Sequence, residues 1–290
     1  GEMVSVTAFI LWLLAMAMPV AAHAGSARME LDIAPGVTAE ADYWPGEADM
    51  PAVLILHGFL QTSEFPTVRR LAESLAEEGF SVLTPSLTLG LNRRRQSLAC
   101  EAIHTHSMQQ DVAELAAWTD WLAERAGKPP VLIGHSSGGV QLVAMLESNP
   151  GLGVDRALLV SLSSFGEGRS PEQIGLVERR ARADLGRHFN GMNAYVLAYC
   201  SRYVTNPGSL LSYLEWDRAR LGQALVSGLA PVALIYGDRD GLLDKAWLDT
   251  LQAGGVTVRP VSGANHFFDI ADEFDLSDEV AQLIAGSGHG

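Results

Sequence analysis

The hydrophobic residues of the chain fall into short continuous runs that are separated by longer stretches with helical spacing. Six of these runs have the length and the branched side chains of buried strands, at 52–56, 80–84, 131–133, 157–162, 232–236 and 256–261. Apolar residues recur every three or four positions over 67–79 and 107–126, and a third apolar helix is predicted after Ser136. Strands without a polar face are buried on both sides, so the pattern predicts a mostly parallel sheet flanked by helices.

The interval 165–228 breaks this alternation and is too long for an ordinary connection between a helix and a strand. Its helical spacing, interrupted by glycine and proline, predicts a helical cap inserted over the edge of the sheet. At least half of the apolar and aromatic side chains of the cap are expected to pack it onto the core, and the rest are candidates for the roof of a substrate pocket. These side chains are Phe189, Met192, Tyr195, Leu197, Tyr199, Leu210, Leu211, Tyr213 and Trp216. We therefore expect this interval to govern the size of the substrate.

An apolar stretch near the N-terminus ends in Ala22-His23-Ala24, a small-x-small pattern typical of a signal-peptide cleavage site. This pattern predicts a signal peptide over 1–24 and export to the periplasm or the cell exterior. A short membrane anchor is the alternative, but Pro19 and the alanine-rich end favour a cleaved peptide. Residues 25–290 contain no internal repeat and no low-complexity linker, which favours a single domain with the cap as its insertion.

The charge balance excludes some classes of partner. The chain carries 34 acidic residues against 20 lysines and arginines, for a formal net charge of −14. Clustered Lys and Arg bind nucleic acids and anionic membranes, so we expect neither a nucleic acid nor a stable membrane partner. The basic run at 93–95 is predicted to be a solvated loop, and orientation of an anionic substrate group is the alternative.

The chain has two cysteines, Cys100 and Cys200. In an oxidising compartment they either form a disulfide or stay buried as free thiols. A bridge between them would close a long loop and could stabilise the fold by about 4–5 kcal/mol. Cys100 also begins a Cys-x-x-x-His-x-His pattern with His104 and His106, but this pattern lacks a fourth ligand and the usual spacing of a metal site.

The segment around Ser136 changes abruptly from a strand to a helix. In VLIGHSSGGVQLVAM, six small or polar residues separate a β-branched run from an apolar helix start. One interpretation is a tight turn, in which glycine supplies unusual backbone angles and serine caps the helix. The other is a nucleophile elbow, G-x-S-x-G, which holds the serine hydroxyl above the sheet.

Polar residues follow the other predicted strands in an order that favours the second interpretation. His57 follows the first strand, Asp238 and Asp240 follow the strand at 232–236, and His266 follows the last. Ligands bind beyond the carboxyl ends of the strands in an open parallel sheet, so these side chains are expected to converge with Ser136. The chain order is therefore nucleophile, acid, histidine.

Four motifs carry a resemblance to a known family: Leu-His-Gly-Phe at 56–59, Gly-His-Ser-Ser-Gly at 134–138, Gly-Asp-Arg-Asp at 237–240 and Gly-Ala-Asn-His at 263–266. Together they resemble the α/β-hydrolase superfamily over essentially the whole mature chain. The resemblance implies an α/β-hydrolase fold, with a mostly parallel sheet flanked by helices and the helical cap. One departure is the segment 85–95, which lacks the Asp-x-x-Gly-x-Gly-x-Ser loop of many relatives.

The resemblance implies a catalytic triad. Ser136 would be the nucleophile and His266 the base that takes its proton. The family's G-x-x-D pattern selects Asp240 as the residue that orients His266. Asp238 would then cap the loop, with the reverse assignment as the alternative.

The same resemblance implies an oxyanion hole made of two backbone N–H groups. One comes from Ser137, and the other comes from Phe59, with Leu60 as the alternative. In the family pattern His57 is structural and binds within its own loop. His135 is an elbow residue, since neighbouring side chains diverge there.

The expected activity is that of an exported serine hydrolase that cleaves small carboxylic esters through an acyl-enzyme. No metal or organic cofactor is expected. A thioester or a small peptide or amide is the alternative substrate, because the same triad serves all three. A hydrolase-fold binding protein without turnover is the alternative of a different class, and the complete set of Ser, Asp and His argues against it.

Overall fold

The structure is a computed structural model that describes residues 25–187, 191–269 and 274–286. The predicted signal peptide at 1–24 and Phe189 lie outside these ranges. The strands are β1 (Ala27–Ala34), β2 (Val37–Trp44), β3 (Ala52–Leu56), β4 (Ser81–Ser86), β5 (Ile103–His104), β6 (Val131–His135), β7 (Arg156–Val160), β8 (Asn193–Leu197), β9 (Cys200–Thr205), β10 (Val232–Gly237) and β11 (Thr257–Val261). The helices are α1 (Pro66–Glu77), α2 (Met108–Ala126), α3 (Gly138–Ser148), α4 (Pro171–Gly186), α5 (Pro207–Leu214), α6 (Arg218–Val226), α7 (Lys245–Ala253) and α8 (Asp275–Ala285).

A central sheet carries the fold, with eight strands in the order β1-β2-β4-β3-β6-β7-β10-β11. The strands from β4 to β11 in this order pair in parallel, and β1 and β2 pair antiparallel at one edge. All six strands predicted from the apolar runs belong to the parallel part. The prediction of a mostly parallel sheet flanked by helices is therefore confirmed.

Both faces of the sheet are covered, which explains why its strands lack a polar side. In β3, Leu54 and Leu56 pack into a hydrophobic cluster shared with α2 and α3. Val53 and Ile55 pack into a second cluster on the opposite face, shared with α1 and α8. Successive side chains of a strand point to opposite faces, so a strand between two cores must be apolar at every position.

The antiparallel hairpin of β1 and β2 was not predicted from the apolar runs. Its outer strand β1 is mostly solvent-exposed, whereas the last six residues of β2 are buried. The signal that could have found it is the turn at Pro35-Gly36, where Gly36 has a φ of 74°, between two stretches of alternating character.

The predicted cap interval, 165–228, contains a β-hairpin as well as helices. Strands β8 and β9 pair antiparallel, and β9 also pairs with β5 in a separate three-stranded sheet. The hairpin follows from a period of two, because Tyr195 and Leu197 are buried and their neighbours are less so. The description of the cap as helical is thus incomplete. Helix α6 contacts α3 and α7, so it lies in the core layer beside the sheet.

No helix in the described ranges combines the length and the apolar character that crossing a bilayer requires.

A disulfide joins Cys100 to Cys200, with their Cα atoms 5.4 Å apart. Cys100 lies in the segment 87–102 between β4 and β5, here called the long loop, and Cys200 begins β9. The bridge therefore ties the cap hairpin to the long loop, which contains most of the segment that departs from the family pattern.

Reduction of this disulfide is expected to lower the thermal midpoint of unfolding by about 10 °C. The cross-link spans a sequence separation of 100 residues. Without the cross-link the unfolded chain gains conformational entropy, which lowers the free energy of unfolding by about 4–5 kcal/mol. Each kcal/mol lowers the midpoint by about 2–4 °C for a chain of this size. Calorimetry before and after reduction measures the shift. Intact-mass analysis with alkylation should show two added labels only after reduction, and labelling without reduction would contradict the bridge.

Candidate active site

The polar residues singled out in the sequence converge at the carboxyl ends of the parallel strands. Ser136 follows β6, Asp240 lies three residues beyond β10, and His266 lies five residues beyond β11. Their convergence follows from the topology, since neighbouring parallel strands all end at the same edge of the sheet.

Ser136 has the strained backbone of a nucleophile elbow. Its φ is 56°, a left-handed value that is unusual for a residue other than glycine, and its N–H donates to Val160 O at 2.8 Å. Glycine is required at two flanking positions. A Cβ on Gly138 would lie 2.4 Å from the backbone oxygen of His57, and one on Gly134 would lie 2.7 Å from the backbone nitrogen of Gly139. The tight turn and the elbow are therefore the same structure.

Ser136, His266 and Asp240 form a hydrogen-bonded series. Ser136 Oγ lies 3.0 Å from His266 Nε2, and His266 Nδ1 lies 2.7 Å from Asp240 Oδ2. A carboxylate can only accept, so Nδ1 carries the proton and Nε2 accepts from the serine hydroxyl. The Asp240 side chain is fully buried, and its other oxygen accepts from the N–H of Leu242 at 2.9 Å.

Asp238 occupies a different position from Asp240. Its Oδ1 accepts from the N–H of Gly263 at 2.8 Å, which links the loop after β10 to the loop after β11. Asp238 thus caps the loop, and the carboxylate that contacts His266 is that of Asp240.

The backbone of His266 is anchored independently of its side chain. Its carbonyl accepts from Ser161 Oγ at 2.7 Å and from His135 Nε2 at 3.0 Å. Burial lowers the pKa of His135 to about 4, so this ring is neutral and serves as a donor to the loop. Sequence reasoning missed Ser161, whose φ of 51° places it in the left-handed region at the end of β7.

The His57 side chain has a structural role, because both nitrogens of its ring bond to the backbone of nearby loops. The N–H of Leu87 donates to His57 Nε2 at 3.0 Å, and Nδ1 donates to Gly58 O at 2.7 Å. Burial lowers the pKa of His57 to about 3, so the ring stays neutral. The side chain therefore joins the segment 57–61, here called the oxyanion loop, to the start of the long loop.

The two predicted oxyanion donors face the same space as the serine. Within the part of the chain that the structure describes, the N–H groups of Phe59 and Ser137 donate to no protein acceptor. Both residues line the cavity that holds Ser136, and Leu60 does not. This placement favours Phe59 over Leu60 as the second donor.

The cavity above Ser136 has a volume of about 500 Å³. Its wall is largely apolar and includes Phe59, Phe65, Ala198, Tyr199, Leu242 and Phe267. Ser163, Ser164, Glu167 and Arg169 supply polar groups from the segment after β7. Core strands therefore position the reacting groups, and the cap with its adjoining loops forms much of the wall.

Of the aromatic cap residues predicted to form the roof, Tyr199 lines this cavity. Tyr195, Tyr213 and Trp216 do not, so the prediction of a pocket roof was wrong for these three residues. Tyr195 is buried in the cap, where its hydroxyl donates to Asp184 Oδ2 at 2.6 Å. Trp216 is buried at the end of α5, where Arg220 stacks on its ring at 3.9 Å.

The prediction of a solvated basic loop at 93–95 was wrong for Arg94. This side chain is buried and donates to three carbonyls, those of Leu87 (2.7 Å), Gln96 (2.8 Å) and Gln61 (2.6 Å). Burial lowers its pKa to about 10, so it remains charged at neutral pH and compensates the nearby Glu114. The outer arginines differ from Arg94 because their own side chains are exposed, where Arg93 pairs with the exposed Glu30 and Arg95 pairs with the buried Glu40.

A buried polar network lies between α2 and the cap. Asp111 Oδ2 accepts from Tyr213 Oη at 2.6 Å and from Gln141 Nε2 at 3.0 Å, and His106 contacts both Tyr213 and Tyr203. Burial raises the pKa of Asp111 to about 7 and lowers that of His106 to about 3. The two groups are therefore uncharged together in weak acid, and they connect the cap to the core through hydrogen bonds.

The Cys-x-x-x-His-x-His pattern belongs to this junction. Cys100 is bonded to Cys200, and His104 Nε2 donates to Cys100 O at 3.0 Å while its ring stacks on Tyr203 at 4.0 Å. Together with His106, these groups hold the long loop against the cap.

Comparison with known families places the fold. A family profile described as "Alpha/beta hydrolase family" matches residues 53–283. No curated protein sequence matches the chain.

Three solved structures illustrate the proteins whose folds are similar to that of this chain. Est1E from Butyrivibrio proteoclasticus aligns with a TM-score of 0.62 at 16% identity, over 91% of this chain and 98% of its own. A thioesterase domain from the curacin biosynthetic pathway aligns with a TM-score of 0.58 at 19% identity, over 89% and 100% of the two chains. A membrane phospholipase A, described as a bacterial virulence factor, aligns with a TM-score of 0.58 at 19% identity, over 92% and 88%. At these identities the likeness shows the fold alone.

Proposed function

The chain belongs to the alpha/beta hydrolase family, and from that premise we propose that it is a serine hydrolase of carboxylic esters. The observation that carries this proposal is the continuous hydrogen-bonded series of Ser136, His266 and Asp240 at the floor of an apolar cavity. A hydrolase-fold binding protein has no need for a complete nucleophile, base and orienting acid in contact.

In the first half of the proposed reaction, Ser136 Oγ attacks the ester carbonyl as His266 Nε2 takes its proton. Asp240 holds the proton on Nδ1 and stabilises the imidazolium that forms. The N–H groups of Phe59 and Ser137 stabilise the negative charge on the carbonyl oxygen. The alcohol leaves with the proton from His266, and the acyl group stays on Ser136 as an ester.

In the second half, water enters as the alcohol departs. His266 takes a proton from this water as it attacks the acyl carbon, and the same two N–H groups stabilise the new oxyanion. Collapse of the intermediate returns the proton to Ser136 Oγ and releases the carboxylic acid. No step requires a metal or an organic cofactor.

The cavity supports an apolar acyl or alcohol group of small to medium size. A volume of about 500 Å³ is within the range of pockets for small ligands, and aromatic and aliphatic side chains dominate its wall. A thioester is the second candidate, because a thioesterase domain is among the similar structures and the same groups would act on it.

Two assays test the proposal on the full chain. A fluorophosphonate probe should add one adduct per molecule, and peptide mapping should place it on Ser136. Hydrolysis rates should then be measured over a series of p-nitrophenyl esters of increasing acyl length. A separate comparison uses an oxygen ester and a thioester that carry the same acyl group. A folded protein that takes no probe and turns over neither ester contradicts the serine-hydrolase proposal, and a faster thioester favours the second candidate.

Leu242→Phe is expected to shift the preference toward shorter acyl chains. Leu242 lines the cavity with 43% of its surface exposed, so a larger ring there occupies space near the rim. Apolar pocket contacts discriminate by roughly 10-fold per methylene, so the octanoate-to-acetate ratio of kcat/KM should fall by about that factor. Leu91→Phe is a matched control, since Leu91 is 45% exposed and does not line the cavity. An unchanged ratio for Leu242→Phe would show that the acyl group binds elsewhere.

We also propose that the protein works outside the cytoplasm. The Cys100–Cys200 disulfide supports this, because such bridges persist in oxidising compartments.

A further inference from the structure

The oxyanion loop is held by contacts from outside it. Three consecutive carbonyls each accept a hydrogen bond from the cap or from the long loop: Phe59 O from Tyr199 Oη (2.8 Å), Leu60 O from Leu98 N (3.0 Å) and Gln61 O from Arg94 Nη2 (2.6 Å). The long loop, which supplies Arg94 and Leu98, and the cap hairpin, which supplies Tyr199, thus support this loop.

The oxyanion loop needs such support because its backbone is strained. Leu60 has a φ of 61°, a left-handed conformation that costs a residue with a side chain free energy. The turn is closed by a single backbone bond from Gln61 N to Gly58 O at 3.2 Å. Strained turns persist where the surrounding structure fixes them, and the orientation of the Phe59 N–H depends on this turn.

Tyr199 is the cap residue that reaches this loop. It lies at the tip of the β8–β9 hairpin, after Ala198, whose N–H donates to Phe165 O at 2.7 Å. The Tyr199 ring meets the Phe59 ring edge-on, with centroids 5.8 Å apart. Although 58% of the Tyr199 surface is exposed, desolvation of its hydroxyl raises the pKa of Tyr199, so this group keeps its proton and donates to Phe59 O.

The disulfide joins two of the three supports. Tyr199 immediately precedes Cys200, and Leu98 lies two residues before Cys100. The bridge therefore fixes the separation between the donor to Phe59 O and the donor to Leu60 O.

We infer that Tyr199 is a positioning residue for the oxyanion hole, and that the Cys100–Cys200 bridge maintains this function. The inference rests on the proposed function, because it concerns a donor to a developing oxyanion. Preorganised donors are effective since they need no reorganisation during the reaction. The Tyr199 hydroxyl holds the Phe59 carbonyl, one peptide unit away from the Phe59 N–H, and so restricts the turn that orients this N–H. Its loss should therefore affect kcat more than substrate binding.

The first test compares Tyr199→Phe with Tyr195→Phe on a short p-nitrophenyl ester. Loss of a direct oxyanion donor costs about 10²–10³-fold in kcat, so loss of a residue that positions one should cost about 10-fold, with KM changed less than about twofold. Tyr195→Phe removes a hydroxyl from the same hairpin, one that donates to Asp184, and should leave both constants unchanged. The inhibition constant of a trifluoromethyl ketone, which forms an oxyanion on the serine, should rise by the same factor as kcat falls.

The second test is a double-mutant cycle with the bridge. Cys100→Ser with Cys200→Ser should lower kcat in the parent enzyme and lower it much less in Tyr199→Phe, because both changes act on one contact. Circular dichroism and thermal unfolding establish that each variant is folded and give its midpoint. Activity is then assayed at a temperature well below the lowest midpoint.

Each outcome bears on a separate claim. A parent enzyme without ester turnover or probe labelling overturns the proposed function and this inference together. An active parent with Tyr199→Phe indistinguishable from Tyr195→Phe overturns the positioning role alone. A rise in KM without a fall in kcat would limit Tyr199 to its place in the cavity wall and overturn the positioning role. Additive losses in the cycle would overturn the coupling between Tyr199 and the bridge.

Discussion

Ser136→Ala is expected to abolish probe labelling and to lower kcat for ester hydrolysis by roughly 10⁴–10⁶-fold. The expected size reflects the loss of Ser136 Oγ, which lies 3.0 Å from His266 Nε2 and forms the acyl bond in the proposed mechanism. Alanine should be accommodated at position 136 as well as serine is, because the positive φ of 56° costs both residues about the same conformational energy. The fold and its thermal midpoint should therefore stay close to those of the parent.

The measurement is single-turnover and steady-state hydrolysis of a p-nitrophenyl ester, beside fluorophosphonate labelling and circular dichroism. Ser148→Ala, at the exposed end of the helix that Ser136 precedes, is a matched control and should behave as the parent. Retention of the parental rate in folded Ser136→Ala would remove the basis for a serine mechanism.

Asp240→Asn is expected to lower kcat by about 10³-fold or more, and Asp238→Asn by less than about fivefold. Both oxygens of Asp240 accept hydrogen bonds, one from His266 Nδ1 and one from the N–H of Leu242. An amide keeps an oxygen for only one of them. If its oxygen stays with Leu242, its NH₂ group faces His266 and favours the tautomer that cannot accept from the serine.

Asp238→Asn lacks that effect because its amide oxygen can still accept from Gly263 N–H. Rates should be measured over pH 5–9, so that a shift of the pH profile is not mistaken for a fall in the maximal rate. A larger loss at position 238 would reverse the assignment of the two carboxylates. Equal small losses would mean that His266 is oriented by another group.

The parallel part of the fold could be predicted because its strands are apolar at every position. A run such as the one at 131–133 has no polar face to confuse with a helix or a loop, and the small residues after it limit what can follow. Ser136, His266 and the two aspartates Asp238 and Asp240 could then be placed at one edge, since each follows a strand of the same sheet, and the family's G-x-x-D pattern selects Asp240. The order of the strands makes these side chains neighbours without any information on their contacts.

The contacts made by isolated polar residues could not be predicted in this way. Arg94 lies between two exposed arginines, and only its position in space shows that three carbonyls surround it. Asp111 lies on an amphipathic helix like many surface acids, and its burial depends on Tyr213 of the cap, 102 residues away. The cap hairpin was missed for another reason: the alternation of Tyr195 and Leu197 was present, but it is short and lies between two helices.

The disulfide has a consequence for the order in which the active site assembles. The covalent ring closed between residues 100 and 200 contains Ser136, whereas Asp240 and His266 lie outside it. In the oxidised unfolded chain the ring restricts the segment that carries the nucleophile and leaves the C-terminal third free. That third has the larger share of conformational entropy to lose when it docks onto the sheet edge beside β7. Local unfolding that began there would separate Asp240 and His266 from Ser136 while the ring stays closed, so the activity proposed for these residues would report on C-terminal docking.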